Sequence, residues 1–176
     1  MSLYDESIPQ LSKMLRNLDA WLAEAETTAT ERGFDVDVLT VARLSPDMFP
    51  LTRQVQSACD TAKFVASRVS GQDAPSHPDT ETTIPALRAR ITTTLDYLAT
   101  VGPDAFIGGE TRRIFMPALK GGWVTGAEYV RAFALPNFYF HLVTAYGILR
   151  HSGVKLGKLK FIGGMDVRPA SEGADA

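Results

Sequence analysis

Pro136-Asn137-Phe138-Tyr139-Phe140-His141-Leu142-Val143-Thr144-Ala145-Tyr146-Gly147-Ile148-Leu149-Arg150-His151 reads as an apolar, aromatic helix carrying a column of polar side chains. At about 100° per residue, Asn137, His141, Thr144, Ile148 and His151 share one face. Polar atoms buried in such a helix cost free energy unless they find partners. The column is therefore either a ligand or metal site or a closed core network. The other faces are apolar nearly all round, with Phe138, Leu142 and Ala145 on one flank and Tyr139 and Tyr146 behind. A helix of this kind is central in its bundle or covered by a second subunit. With four helices the back of one should be wet, so a homodimer interface is expected on this helix.

Three further helices are legible upstream. Tyr4, Ile8, Leu11, Leu15, Leu18, Leu22 and Ala25 alternate four- and three-residue spacings, the seam of a helix packed nearly parallel to its neighbours, and Gly33 stops it. Ser45-Pro46-Asp47 predicts the start of a second helix, with Ser45 as N-cap and Pro46 at the first helical position. Its inward face is Leu51, Val55, Ala58, Ala62, Val65 and Val69, with Gln54 on the flank and Arg53, Asp60, Lys63 and Arg68 outside or at the edges; Gly71 ends it. After a loop over 72–80, a third helix runs from about Thr83 to Gly102-Pro103, with Ile84, Leu87, Ile91, Leu95 and Leu98 inward. Residues 107–125 break the helical period. Ile114 to Pro117 and Trp123-Val124, separated by Lys120-Gly121-Gly122, predict a short hairpin. Thr125-x-x-Glu128 is a capping-box pattern for a short helix through Ala134, after which Pro136 resets the chain.

The chain has 176 residues, enough for one domain with a sizeable core. Its formal net charge of −2, without a block of like charges, provides no electrostatic footprint for nucleic acid or an anionic membrane. No apolar run approaches the ~18 residues of a membrane span, and Met1 to Glu6 has neither the basic nor the apolar part of a signal peptide. A cytoplasmic location is expected. One domain over 1–168, followed by a small, acidic, frayed tail over 169–176, is the expected organisation.

Cys59 is the only cysteine, which excludes an internal disulfide and any cysteine-cluster metal site. Flanked by Ala58 and Ala62, it reads as a structural thiol rather than a nucleophile. Of the three histidines, His77 reads as a solvated loop residue and His151 as a helix C-terminal cap. His141, mid-helix, is either a satisfied core histidine or a site residue. No His-x-x-x-His pair exists; Asn137 holds the position four before His141, as a site amide or as an N-cap after Pro136. Phosphate-loop, dinucleotide and nucleophile-elbow motifs are absent.

Two blocks, Ala42-Arg43-Leu44-Ser45-Pro46-Asp47-Met48-Phe49-Pro50-Leu51-Thr52-Arg53-Gln54-Val55-Gln56 and Leu135 through His151, resemble the signature segments of a bacterial domain family of unestablished function. That family is placed in the DinB/YfiT-like superfamily; Val154-Lys155-Leu156-Gly157-Lys158 resembles its tail pattern. The resemblance implies an all-α, DinB-like four-helix bundle, commonly dimeric, here with a short β-hairpin excursion between the third and fourth long helices. Better-known superfamily members hold a divalent metal with three histidines, and some use low-molecular-weight thiols as co-substrates. The corresponding positions here are Gln54, Asn137 and His141, with one imidazole among them. Two amides and one imidazole do not hold zinc or nickel as three imidazoles do. No cofactor is therefore expected, although a weakly held divalent metal at His141 stays open.

The resulting expectation is a metal-free bundle in which Gln54, Asn137, His141 and Thr144 line an interhelical pocket for a small molecule. The rivals are a thiol-dependent transferase or isomerase with His141 as catalytic general base, and a non-catalytic dimeric interaction module.

Overall fold

The computed structural model describes residues 2–165 and 167; the predicted tail over 169–176 lies outside the described residues. Helix α1 (Leu3–Arg32) opens with a capping box, the Ser2 side chain accepting from the Asp5 amide while the Asp5 carboxylate accepts from the Ser2 amide. It closes on Gly33 at φ 69°, a left-handed conformation that costs glycine nothing. A 3₁₀ segment (Val36–Val41) leads to α2 (Leu51–Ser70) and then α3 (Ile84–Thr100). Strands β1 (Arg113–Phe115) and β2 (Trp123–Thr125) pair antiparallel, with Ile114 opposite Val124. Then come α4 (Gly126–Glu128), a π-helical segment (Tyr129–Ala134), α5 (Leu135–His151) and α6 (Lys158–Ile162). The seam predicted for α1 is buried from Ile8 onward, as is the whole predicted inward face of α2. The core is one cluster shared by α1, α2, α3 and α5.

Three local predictions fail for identifiable reasons. Ser45 is not the N-cap of α2, which starts at Leu51. Pro50 would fall inside a helix begun at Pro46, where its ring meets the carbonyl four residues back, and it forces Phe49 out of helical geometry. Residues 45–48 instead make a turn, the Met48 amide donating to the Ser45 carbonyl at 3.0 Å. Pro136 does not reset the chain either. Gly126–His151 is one continuous helix, because the wide π turns carry the Ala132 carbonyl away from the proline ring, the Leu135 amide reaching back five residues to Val130. Asn137 is therefore inside a helix and is no N-cap.

The third failure concerns the back of α5. Tyr139 and Tyr146 are covered by the same chain: Tyr139 Oη accepts from Gln10 Nε2 at 2.6 Å, and Tyr146 packs edge-on against Trp21 and Phe161. Helix α6, which periodicity did not reveal, is held there by Trp21 Nε1 donating to the Lys160 carbonyl at 2.9 Å. Both tyrosines are thereby half-buried within one chain. By length and composition Gly126–His151 also passes as a membrane span, contrary to expectation. Its apolar residues Phe138, Leu142, Ala145 and Leu149 are fully buried in the bundle.

Candidate functional site

Helices α2 and α5 face each other along their length, and the polar column of α5 meets α2 at two points. His141 Nδ1 lies 2.8 Å from Gln54 Oε1, and Gln54 Nε2 donates to the Phe49 carbonyl at 2.9 Å. A carbonyl oxygen only accepts, so the Gln54 amide nitrogen must face Phe49 and its oxygen must face His141. The imidazole therefore carries its proton on Nδ1, which leaves Nε2 an acceptor on a ring that lines both clefts. His141 is 8% exposed and Gln54 1%. Burial, aided by the positive charge of Arg53, holds the His141 pKa below its usual range and keeps the ring neutral near pH 7.

One turn earlier on α5, Asn137 Nδ2 donates to Thr61 Oγ1 at 2.8 Å, while the Thr61 hydroxyl spends its proton on the Ser57 carbonyl at 2.7 Å. The Asn137 amide oxygen is thereby left over as an acceptor. Asn137 and His141 sit where two clefts meet. The first, of about 350 Å³, runs along α2 past Ser57, Thr61, Phe64 and Arg68 and is roofed by Met116 to Ala118 of the hairpin. The second, of about 440 Å³, opens beneath Met48 and Phe49.

Of the four residues expected to converge, three do. Gln54 lines the second cleft and, with one hydrogen bond at each end of its amide, orients the histidine. Thr144 donates to the Phe140 carbonyl of its own helix at 2.7 Å and lines neither cleft. Sequence reading passed over Arg68 and Thr61, although Thr61, Phe64 and Arg68 are spaced as one helix face beside Ser57.

Around the clefts the charges are mostly neutralised locally. Lys63 was expected at the edge of α2 but is 4% exposed, and it pairs with Asp60 at 2.9 Å. Arg90 is equally deep and pairs with Asp60 at 2.8 Å and Glu81 at 3.0 Å, while Arg53 pairs with Asp79. His77, expected in solvent, packs against this cluster instead. Both its ring nitrogens are buried without a partner among the described residues, and burial with the nearby Lys63 and Arg90 charges pushes its pKa down. His151 is exposed, and Ser152 Oγ rather than His151 caps α5 by donating to the Ile148 carbonyl at 2.9 Å. Cys59 is fully buried, which pushes its thiol pKa up to about 12.

The donor set does not fit a tightly held divalent metal. Gln54 Oε1 is spent on His141, Arg53 places positive charge beside the ring, and among the described residues no three His, Cys, Asp or Glu side chains gather.

The model for a domain of unknown function, DUF1993, matches residues 3–162. The chain belongs to the DUF1993 family. A DinB family member protein from Shewanella denitrificans, known from its crystal structure, is 46% identical to this DUF1993 chain over 95% of each, with a TM-score of 0.91. The predicted architecture, a DinB-like four-helix bundle of α1, α2, α3 and α5 with a two-stranded excursion, therefore holds. No curated protein matches the chain.

Proposed function

We propose that this DUF1993 protein binds a small molecule at the junction of the α2–α5 clefts, through the Nε2 lone pair of His141 and the amide oxygen of Asn137. The observation that carries the reading is the Phe49–Gln54–His141 chain, which leaves Nε2 an acceptor on a neutral imidazole that lines both clefts. Two acceptors one helical turn apart select a ligand that donates hydrogen bonds, such as a hydroxyl, amine, amide or thiol. The superfamily metal site is degenerate in this reading, with Gln54 a positioning residue and Thr144 outside the contact set. The neutral imidazole also favours a second reading, in which His141 is the general base of a thiol-dependent transferase or isomerase.

The discriminating variant is His141→Asn. Its side-chain nitrogen can replace Nδ1 in the bond to Gln54 while Nε2 is deleted. Thermal-shift screening with metabolites and low-molecular-weight thiols should find a compound that raises the melting temperature of the wild type and not of H141N. A compound stabilising both equally is bound elsewhere and refutes the site. Turnover of a thiol adduct that survives H141N refutes the general base.

A homodimer and a cytoplasmic location belong to the same proposal. For the dimer, the supporting feature is the exposed column Phe133, Phe140 and Val143 with nearby Leu44 and Phe49, rather than the covered tyrosines. Light scattering of wild type and Phe140→Glu tests it; a monomeric wild type refutes it.

A further inference from the structure

Among the described residues, Arg68 is the cation of the first cleft that lacks an ionic partner. Its guanidinium lies 4.5 Å from the centre of the Phe64 ring and 5.4 Å from that of Tyr129, and Nη1 donates to Tyr129 Oη at 3.2 Å. Aromatic faces and a phenol hold a guanidinium in place without neutralising it. Among the described residues Arg68 forms no ion pair, and the acid on the cleft wall, Asp60, is already shared by Lys63 and Arg90. The neighbouring cluster is balanced, with Arg53, Lys63 and Arg90 set against Asp60, Asp79 and Glu81. The leftover positive charge belongs to Arg68.

The position matters as much as the charge. Thr61, which holds Asn137, precedes Arg68 by seven residues, about 10 Å along the helix axis. Helical side chains lean toward the N-terminus, so Arg68 leans toward Phe64 and Thr61 and shortens that span. The wall between is largely apolar, with Phe64, Phe133 and Met116, under the roof of Pro117 and Ala118. One end of the cleft thus presents two hydrogen-bond acceptors and the other an immobilised, unpaired guanidinium.

We infer that the ligand is a small organic anion. Its oxyanion is received by Arg68, its body lies against Phe64 and Phe133, and a hydrogen-bond donor at its other end meets Asn137 and His141. This rests on the proposed cleft and adds the ligand's charge and polarity.

The probes are para-hydroxyphenylpropionate, which has a donor, an aromatic body and a carboxylate in that order, and its primary amide. Affinities come from titration calorimetry at low salt, and occupancy from NMR shifts of the Asn137 side-chain amide and the His141 ring. A charge-assisted bond to an arginine predicts that the carboxylate binds the wild type at least about tenfold more tightly than the amide, a preference that falls as salt rises. Arg68→Gln should bring the two probes to the same affinity. The wild-type comparison and its salt dependence need no variant, so the inference remains testable if R68Q folds poorly. Equal affinities for the two probes, with the Asn137 and His141 shifts present, overturn the anion and leave the cleft standing. If neither probe moves those signals, the cleft reading falls and the anion with it.

Discussion

Gln54→Leu isolates the device on which the site depends. In the wild type, Gln54 bridges the Phe49 carbonyl at 2.9 Å and His141 Nδ1 at 2.8 Å from a position 1% exposed. Leucine keeps the position filled with apolar atoms, so the substitution chiefly removes hydrogen bonds. The Phe49 carbonyl is near the surface and can turn to water, at a net cost of about 0.5–1.5 kcal/mol. His141 Nδ1 cannot, and a buried ring nitrogen left unpaired costs about 1–3 kcal/mol. Together the loss should be about 1.5–4.5 kcal/mol, or roughly 4–12 °C in Tm for a domain of this size. Urea unfolding should show an unchanged m-value and a lower midpoint.

The variant should also change the histidine itself. Long-range proton–nitrogen NMR should find the proton on Nδ1 in the wild type and a shift toward Nε2 in Q54L. Adding His141→Leu removes the orphaned ring nitrogen, so the double variant should be about 1–2 kcal/mol more stable than the sum of the single losses implies. A loss below about 0.5 kcal/mol, or a wild-type ring protonated on Nε2, refutes the reasoning.

Three further outcomes follow from the same structure. Because the folded-state pKa values of His141 and His77 are lowered, the unfolded chain binds more protons. Their stabilising contribution is complete above the ordinary histidine value of about 6.5 and is lost as pH falls through the lowered folded value. H141N should therefore show a shallower decline in urea midpoint between about pH 7 and pH 5 than the wild type, and identical slopes would count against the buried neutral ring. Cys59, buried with its pKa pushed up to about 12, should react with an aromatic disulfide reagent only as fast as the chain unfolds, accelerating with urea. Prompt reaction of the native protein would show that the thiol is reachable. A methyl group on Gly126 would overlap the Gly109 carbonyl oxygen, a backbone atom that cannot step aside. Gly126→Ala should therefore cost about 3 kcal/mol and loosen the hairpin that roofs the cleft, and a variant as stable as wild type would refute that close approach.

The four long helices and the hairpin were legible because their signals are local. Seven-residue seams such as Ile8-Leu11-Leu15-Leu18 mark a buried face whatever lies against it, and Gly33 or Thr125-x-x-Glu128 punctuates the chain through its own backbone chemistry. The family resemblance places Gln54, Asn137 and His141 together. What lay beyond the sequence depends on the partner of each group. Periodicity puts Asn137, His141 and Thr144 on one face but does not say that Thr144 bonds back to its own helix while Asn137 crosses to Thr61. Pro136 looks like a break until a π turn makes room for it. The aromatic back of α5 calls for a cover that turns out to be α1 and the short α6. Above all, the state of His141 is set by a proton, and that proton is placed by an amide whose own direction is dictated by the carbonyl of Phe49. Hydrophobic burial is a property of each side chain and can be read along the chain; donor and acceptor roles are properties of pairs, and only the tertiary structure forms the pairs.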